Sequence, residues 1–374
     1  MNRLEKIYSK CGLFAHIVLR LFLNAGETLR DRSKTALKDP EKILVVATLR
    51  LGDLLMTLPL YEALRKRYPK AHISVLTHPA FDPVFANVKN INQCIPYYGK
   101  GKALLRLLRK MRRYKFDLCI NVCEGHLNSL VYASGIPRRI GFQQKRATRD
   151  RFYLTDALKH SGEFKGISHF FLKLLEPLDI KTASAQPKLP RPSLKYPFPK
   201  GSAKYRIAIH AGTKEEMKIW PYYSELINRL VHDFDSVQVI LTGSKNEVHP
   251  VIGNHEQVLD LIGKTTLTEL MQLYASVELV IGNDTGPLHI ARALGTPSIT
   301  LFGPVSESIL GTIDKDKHAC LSKKVSCRPN NATLFGIPIE GLQRCRLSSC
   351  SHHTCMRSLT VEEVLKRVSS FLLT

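Results

Sequence analysis

From residue 41 onward, short apolar runs alternate with stretches whose apolar positions recur every three or four residues. Residues 43–47 read Ile-Leu-Val-Val-Ala, which predicts a strand buried on both faces. Residues 54–68 follow with Leu54, Leu55, Leu58 and Leu64 on one helical side, and Pro69 to His72 stop them. Further strands are predicted at 73–77, 94–98 and 116–122, with helices at 103–113 and 126–134. Strand and helix in regular alternation mark a parallel sheet with crossover helices. A second series starts at strand 205–210. It runs through helix 221–231, strand 237–242, a short helix after Asn246, strand 258–261 and helix 267–276. Residues 276–303 then form a strand, a tight turn, a helix and a strand. Asp284 or Thr285 is placed to cap that helix, Pro287 fits its first turn and Gly295 its end. Thr360-Val361-Glu362-Glu363 reads as a capping box opening a last helix at 361–372.

Between the two series, Pro187, Pro190, Pro192, Pro197 and Pro199 crowd residues 185–201. Such a density excludes a helix or central strand and predicts a stiff linker. At 374 residues the chain is long for one core and comfortable for two. The expected organisation is an N-terminal basic amphipathic helix within 1–40 and a Rossmann-like unit at 41–184. The linker at 185–201, a second Rossmann-like unit at 202–358 and the last helix at 359–374 complete it.

Composition adds a formal charge of +23, which implies an anionic partner: nucleic acid, an anionic membrane or a phosphorylated glycolipid. No run is long enough to span a bilayer. Residues 13–23 are apolar except for His16 and Arg20, and a signal peptide would lack its small-residue cleavage site. Lys6, Ser9, Lys10, His16, Arg20, Asn24 and Glu27 share one helical side. That suits a helix lying in a membrane interface or one packed on the protein's own body. Residues 138–151 hold Arg138, Arg139, Lys145, Arg146, Arg149 and Arg151 with little apolar periodicity, so they read as a basic loop.

Of nine cysteines, Cys11, Cys94, Cys119 and Cys123 read as reduced thiols of a cytosolic protein. Five others lie between Cys320 and Cys355. Cys327, Cys345, Cys350 and Cys355, near His352 and His353, lack a Cys-x-x-Cys pair. They are open to a structural zinc or iron, a disulfide, or free thiols.

Ligands of open parallel sheets bind at the carboxyl ends of strands. Asp53 follows a glycine at such an end and is placed as a general base, although the same position produces a helix cap. Thr213 closes another strand, and Lys218 precedes a helix, where a lysine beside exposed amides suits a phosphate. Asp284, Thr285 and Gly286 stand at a third strand end, with His289 one turn along.

Two longer strings bear on family. One is Gly282-Asn283-Asp284-Thr285-Gly286-Pro287-Leu288-His289-Ile290-Ala291, followed by Ala293-Leu294-Gly295-Thr296-Pro297 and Leu301-Phe302-Gly303-Pro304. The other is Arg50-Leu51-Gly52-Asp53 with Leu58-Pro59. Together they resemble glycosyltransferase family 9, the ADP-heptose:lipopolysaccharide heptosyltransferases, over nearly the whole chain from 41 to 372. The resemblance implies a GT-B fold, two Rossmann-like domains facing across a cleft, with the last helix often crossing back to the first. It implies inverting transfer of heptose from ADP-heptose to a lipopolysaccharide inner-core sugar, with no cofactor required for catalysis. It makes the first domain acceptor-binding and the second nucleotide-sugar-binding.

Residue by residue, Asp53 becomes the catalytic base. Lys218 of Lys218-Ile219-Trp220-Pro221 contacts the diphosphate with Thr213, and Glu247 the ribose. Asp284 meets the heptose hydroxyls, Thr285 and Gly286 the diphosphate, and His289 a phosphate or simply the neighbouring strand. Glu124 and Ser129 lie where the family lines its acceptor side. Glu124 departs from the common residue there and stands as reserve base. By its charge alone, the basic loop (Lys145, Arg146, Arg149, Arg151) reads as facing a phosphorylated acceptor or as a solvated surface. One related branch holds iron on cysteines, which keeps the metal alternative open for Cys327, Cys345, Cys350 and Cys355. The implied setting is cytoplasmic and peripheral to the inner membrane, on an anionic surface. The acceptor could instead be a protein or another surface glycan. A nucleic-acid binder would explain the charge but has no matching motif.

Overall fold

The computed structural model describes residues 39–372 apart from 100–101, 124–126, 144–149, 160–163, 183, 198–202, 235, 250–255, 311–313, 329–332, 335–336, 339–344 and 346–349. The N-terminal helix of the sequence reading therefore lies outside the described residues. So do Glu124, Lys145, Arg146 and Arg149.

Two six-stranded sheets organise the chain. The first holds β1 (Lys42–Val46), β2 (His72–Thr77), β3 (Gln93–Pro96), β4 (Leu118–Asn121), β5 (Arg138–Phe142) and β6 (Asp156–Leu158) in the order β3-β2-β1-β4-β5-β6. Its helices are α1 (Leu51–Leu55), α2 (Leu58–Arg67), α3 (Asp82–Phe85), α4 (Lys102–Tyr114), α5 (Asn128–Ala133), α6 (Asp150–Tyr153) and α7 (Ile167–Leu172). The second sheet holds β7 (Tyr205–His210), β8 (Val237–Leu241), β9 (Val258–Asp260), β10 (Leu279–Asn283), β11 (Ser298–Phe302) and β12 (His318–Ser322) in the order β12-β11-β10-β7-β8-β9. Its helices are α8 (Tyr223–Asp233), α9 (Leu267–Tyr274), α10 (Gly286–Ala293), α11 (Thr354–Arg357) and α12 (Val361–Leu372).

Every pairing within the two sheets is parallel. Counted from its own first strand, each sheet has the doubly wound order 3-2-1-4-5-6. The order reverses between β1 and β4 in one sheet and between β7 and β10 in the other. Asp53 follows β1, Thr213 follows β7 and Asp284 follows β10, so the candidate residues gather at the two switch points.

The helix predicted over 54–68 is two helices, α1 and α2. Pro59 stands at the start of α2. It has no N–H to bond back to Leu55, and its ring would meet that carbonyl, so the ladder breaks there. Residues 138–142 were expected as loop and form the parallel strand β5 instead. Arg139 can be buried in that strand because its guanidinium donates to the carbonyls of Tyr153, Ile136 and Pro137 at 2.6, 2.5 and 3.0 Å. Strand β12 was not among the predicted strands, because its apolar run, Ala319-Cys320-Leu321, is only three residues long. Residues 246–249, expected to open a short helix, are turn and bridge, with Val248 paired to Thr213.

One apolar cluster covers the first sheet and continues onto α9 and α10 of the second. A second cluster fills the other face of the second sheet. Val361, Val364, Leu365, Val368 and Leu372 of α12 belong to that second cluster and lie against α8 and β11. The last helix thus closes its own domain rather than crossing to the first. Trp220 is fully buried there, and its indole donates to the Leu359 carbonyl at 2.9 Å. The described part of the proline-rich segment, residues 185–197, is irregular and laid on the second domain, with Leu189 N donating to Ala293 O at 2.7 Å.

Candidate active site

Strand β1 ends in Arg50-Leu51-Gly52-Asp53, where the chain turns into α1. Arg50 is the cap residue and Asp53 lies in the first turn of the helix. The alternative of Asp53 as the cap is therefore excluded, and its carboxylate is free for other work. Across the domain junction, α10 starts at Gly286 with Thr285 as its cap residue and Pro287 in its first turn. The two helices touch at their glycines. A Cβ on Gly52 would lie 2.7 Å from His289 Cδ2, and one on Gly286 3.0 Å from Leu51 Cβ. A side chain at Gly52 would have to displace the His289 ring, and one at Gly286 would press on the Leu51 side chain.

This contact places Asp53 among charges from the other domain. Burial raises its carboxyl pKa most, and the Asp284 carboxylate raises it further. His289, Arg50 and Lys218 pull the other way without cancelling the rise. Asp284 behaves oppositely. Burial is again the largest influence and acts upward, but His289, Lys218 and Arg292 together hold its carboxyl below the usual range. His289 Nε2 is 3.3 Å from Asp284 Oδ1. Lys218 Nζ donates to the Asp284 carbonyl at 3.1 Å and stands 3.8 Å from Oδ2. Two neighbouring carboxyls pushed in opposite directions fit a division into proton acceptor and fixed anion.

The turn holding Asp284 is fixed from below. Asn283 is fully buried at the end of β10. Its amide donates to Ala211 O at 3.0 Å, and Tyr223 OH donates to its Oδ1 at 3.0 Å. Asn283→Ala leaves the buried Tyr223 hydroxyl without this acceptor and is expected to cost about 1–3 kcal/mol, read as a lower urea midpoint with an unchanged slope.

At the β7 and β8 ends, Thr213 is buried and its hydroxyl accepts from Glu215 N at 3.1 Å. Glu247 accepts from Ser244 N at 2.8 Å and lies 3.5 Å from His210 Nε2. Burial pushes the Glu247 carboxyl upward, but His210, the Ser244 amide and His249 outweigh it, so Glu247 stays ionised below the usual range. His249 covers the backbone here, and a Cβ on Gly212 or Gly243 would meet its ring at 2.4 or 2.3 Å.

The structure therefore brings together Asp53, Lys218, Asp284, Thr285, Gly286 and His289. Thr213 and Glu247 stand at the adjoining strand ends. Ser129 is half-buried in α5 and joins none of these contacts. Arg151 lies in α6, where its side chain is not described. For Cys327, Cys345, Cys350 and Cys355 a structural metal, a disulfide and free thiols stood open. All four are free thiols, and among the described residues no three Cys, His, Asp or Glu side chains group to hold an ion. Burial, with Cys327 and Cys350 nearby, pushes the Cys355 thiol up despite Arg328.

Sequence reasoning missed the bridge between Arg50 and Glu215. Arg50 Nη1 meets Glu215 Oε1 at 2.6 Å across the domain junction, and Lys218 Nζ is 3.5 Å from Glu215 Oε2. Arg50 stood inside the quoted motif, but nothing in the string pairs it with Glu215, 165 positions away. His210 and His249 were missed for the same reason: their partners meet only at the sheet's carboxyl edge.

The doubled doubly wound architecture, with its switch points facing each other, is that of GT-B proteins. The structure of E. coli ADP-heptose lps heptosyltransferase II superposes with a TM-score of 0.63 at 22% identity, covering 89% of this chain and 98% of that one. E. coli heptosyltransferase WaaC with ADP-2-deoxy-2-fluoro heptose gives 0.61 at 17% identity, over 88% and 99%. In sequence, lipopolysaccharide heptosyltransferase 2 of Salmonella typhimurium is 26% identical over 296 residues, 71% of this chain and 83% of that protein. The family model of glycosyltransferase family 9 (heptosyltransferase) matches residues 104–334. The chain belongs to that family, and is a glycosyltransferase.

The Gly52 contact carries a test. Gly52→Ala must displace the His289 ring and so loosen its hold on Asp284. Misplacement of this kind is expected to lower kcat/KM between about 10- and 10²-fold, measured with unchanged thermal stability.

Proposed function

We propose that the chain transfers heptose from ADP-heptose to a sugar of the lipopolysaccharide inner core, with inversion at the anomeric carbon. One observation carries the reading. A carboxyl of raised pKa, Asp53, faces across the junction the cluster of Lys218, Asp284 and His289 at a helix N-terminus. Direct displacement needs a base, an electrophile in place and charge stabilisation for the leaving diphosphate. Asp53 takes the proton of the acceptor hydroxyl as its oxygen bonds to the anomeric carbon. The bond from that carbon to the diphosphate oxygen breaks, and the electron pair leaves with ADP. Lys218 and the amides of Thr285 and Gly286 receive the diphosphate. Asp284, held ionised, accepts hydrogen bonds from the heptose hydroxyls. His289 Nδ1, buried and without a hydrogen-bond partner among the described residues, is available to the donor. Glu247, also ionised, accepts from the ribose hydroxyls.

No step in this scheme calls on a metal. The acceptor is membrane-linked, so the enzyme works at the cytoplasmic face as a peripheral protein. No helix of the described residues is long and apolar enough to cross a membrane. The test is a donor screen by thermal shift and turnover. ADP-heptose should raise Tm, and a lipid-linked core acceptor should release ADP. Stabilisation by a different nucleotide sugar, with none by ADP-heptose, would reject the donor. Turnover on a protein or another glycan, with none on the core, would reject the acceptor.

A further inference from the structure

Helix α4 is unlike the others in its charge. Between Tyr98 and Phe116 there are eight lysines and arginines and no acid. Its inner face is apolar, with Leu107, Leu108 and Met111 buried. Its outer face presents Leu105, Arg106, Arg109, Lys110 and Arg113, all exposed. Among the described residues, none of those four cations is ion-paired. The helix is 13 residues long, and the four cations from Arg106 to Arg113 cover about 11 Å of it. Two large apolar side chains stand out of the surface at its start, Tyr98 at 68% and Leu105 at 55% exposure.

Position gives the row a direction. Helix α4 follows β3, the edge strand of the first sheet, and starts at the same carboxyl end of the sheet at which Asp53 lies. Tyr98 and Leu105 are thus at the end of the helix nearest the catalytic edge. Unpaired like charges on one face repel each other and are tolerated where an opposite charge outside the protein answers them. An extended row of cations fits an extended anionic surface. Exposed Leu and Tyr at one end fit a surface with an apolar layer beneath its charges. A nucleic-acid duplex offers Leu105 no such layer.

We infer that α4 docks the enzyme on an anionic phospholipid bilayer, with the Tyr98–Leu105 end inserted at the headgroup level and the domain cleft turned toward the membrane. The inference rests on the reading that the acceptor is membrane-linked, and it names the surface that brings the cleft to it.

The test uses the full chain and vesicles of phosphatidylcholine with a quarter phosphatidylglycerol, at about 0.1 M salt. Arg106→Gln, Arg109→Gln, Lys110→Gln and Arg113→Gln together are expected to lower vesicle partitioning on the order of 10²-fold. A control variant removes the same charge from exposed positions of the second domain: Lys315→Gln, Lys317→Gln, Lys366→Gln and Arg367→Gln. It should stay within about threefold of the parent protein. Leu105→Ser should weaken binding by a factor that persists at high salt, because screening does not touch apolar contact.

Equal losses in the α4 and control variants would overturn the docking in favour of bulk charge. So would equal binding of the parent to pure phosphatidylcholine vesicles. Tighter binding of a DNA duplex, lost in the same α4 variant, would assign the row to nucleic acid instead. Circular dichroism and unchanged hydrolysis of soluble donor confirm that the α4 variant is folded. A parent protein that binds anionic vesicles through α4 but never turns over ADP-heptose supports the docking and sinks the proposed reaction.

Discussion

Asp53→Asn is expected to lower kcat by about 10²–10⁴-fold while leaving ADP affinity unchanged. The side chain keeps its shape and loses only its capacity to take a proton. The same variant has a signature in pH. A carboxyl whose folded pKa is raised must lose its proton before it can act as base. The acid limb of kcat/KM should therefore lie above the ordinary aspartate value of 3.8, and the variant should lack it. Stability moves in the opposite sense. The folded protein holds this proton more tightly than the unfolded chain does. The group's contribution to stability is fully present below the unfolded value and is lost as pH rises through the folded one. At neutral pH the parent thus carries a buried charge that asparagine does not. Asp53→Asn should be the more stable protein there, the difference vanishing below about pH 3.8. Near-normal kcat would remove Asp53 from the mechanism and bring Glu124 forward. A stability loss at neutral pH would show that the carboxylate holds the fold.

Lys218→Ala should weaken ADP and ADP-heptose together, because both carry the diphosphate. A lost charge-assisted contact corresponds to about 1.5–3 kcal/mol, or roughly 10- to 150-fold in Kd. The lysine has a second duty, as one of the groups that hold Asp284 ionised. A depressed carboxyl keeps its advantage above its unfolded value and loses it as pH falls through the folded one. Without Lys218 the folded value rises, so donor binding in the variant should decline at a higher pH than in the parent. Calorimetry at two pH values reads both effects. Unchanged ADP affinity would place the diphosphate elsewhere. A weakened affinity with an unshifted pH profile would limit Lys218 to the phosphate.

The contrast between Asp53 and Asp284 shows how far the string of residues reaches. Both were legible as acids at strand ends, because a short apolar run followed by glycine and aspartate says where a parallel strand stops. Their division of labour was not legible. It comes from His289, Lys218, Arg50 and Arg292 meeting two carboxyls from distant parts of the chain. A pKa is set by distance and burial, and neither is written locally. The bridge from Arg50 to Glu215 has the same origin, as has the close passage of Gly52 over His289.

The sequence by itself determined the two alternating series, the proline-rich segment between them, the last amphipathic helix and the strand ends where the candidate residues stand. These follow from periodicity and from turn residues, which act over a few positions. Tertiary structure decided the rest. It made a strand of the basic segment at 138–142, because three carbonyls satisfy Arg139 there. It added β12 at an edge, from an apolar run of only three residues. It laid α12 on its own domain, because the face offered by α8 and β11 matches the stripe of Val361, Val364 and Val368. It left Cys327, Cys345, Cys350 and Cys355 without disulfides, a choice that spacing along the chain did not make. Local pattern chooses the element; which charges, carbonyls and apolar faces then meet is decided only when the two sheets close on each other.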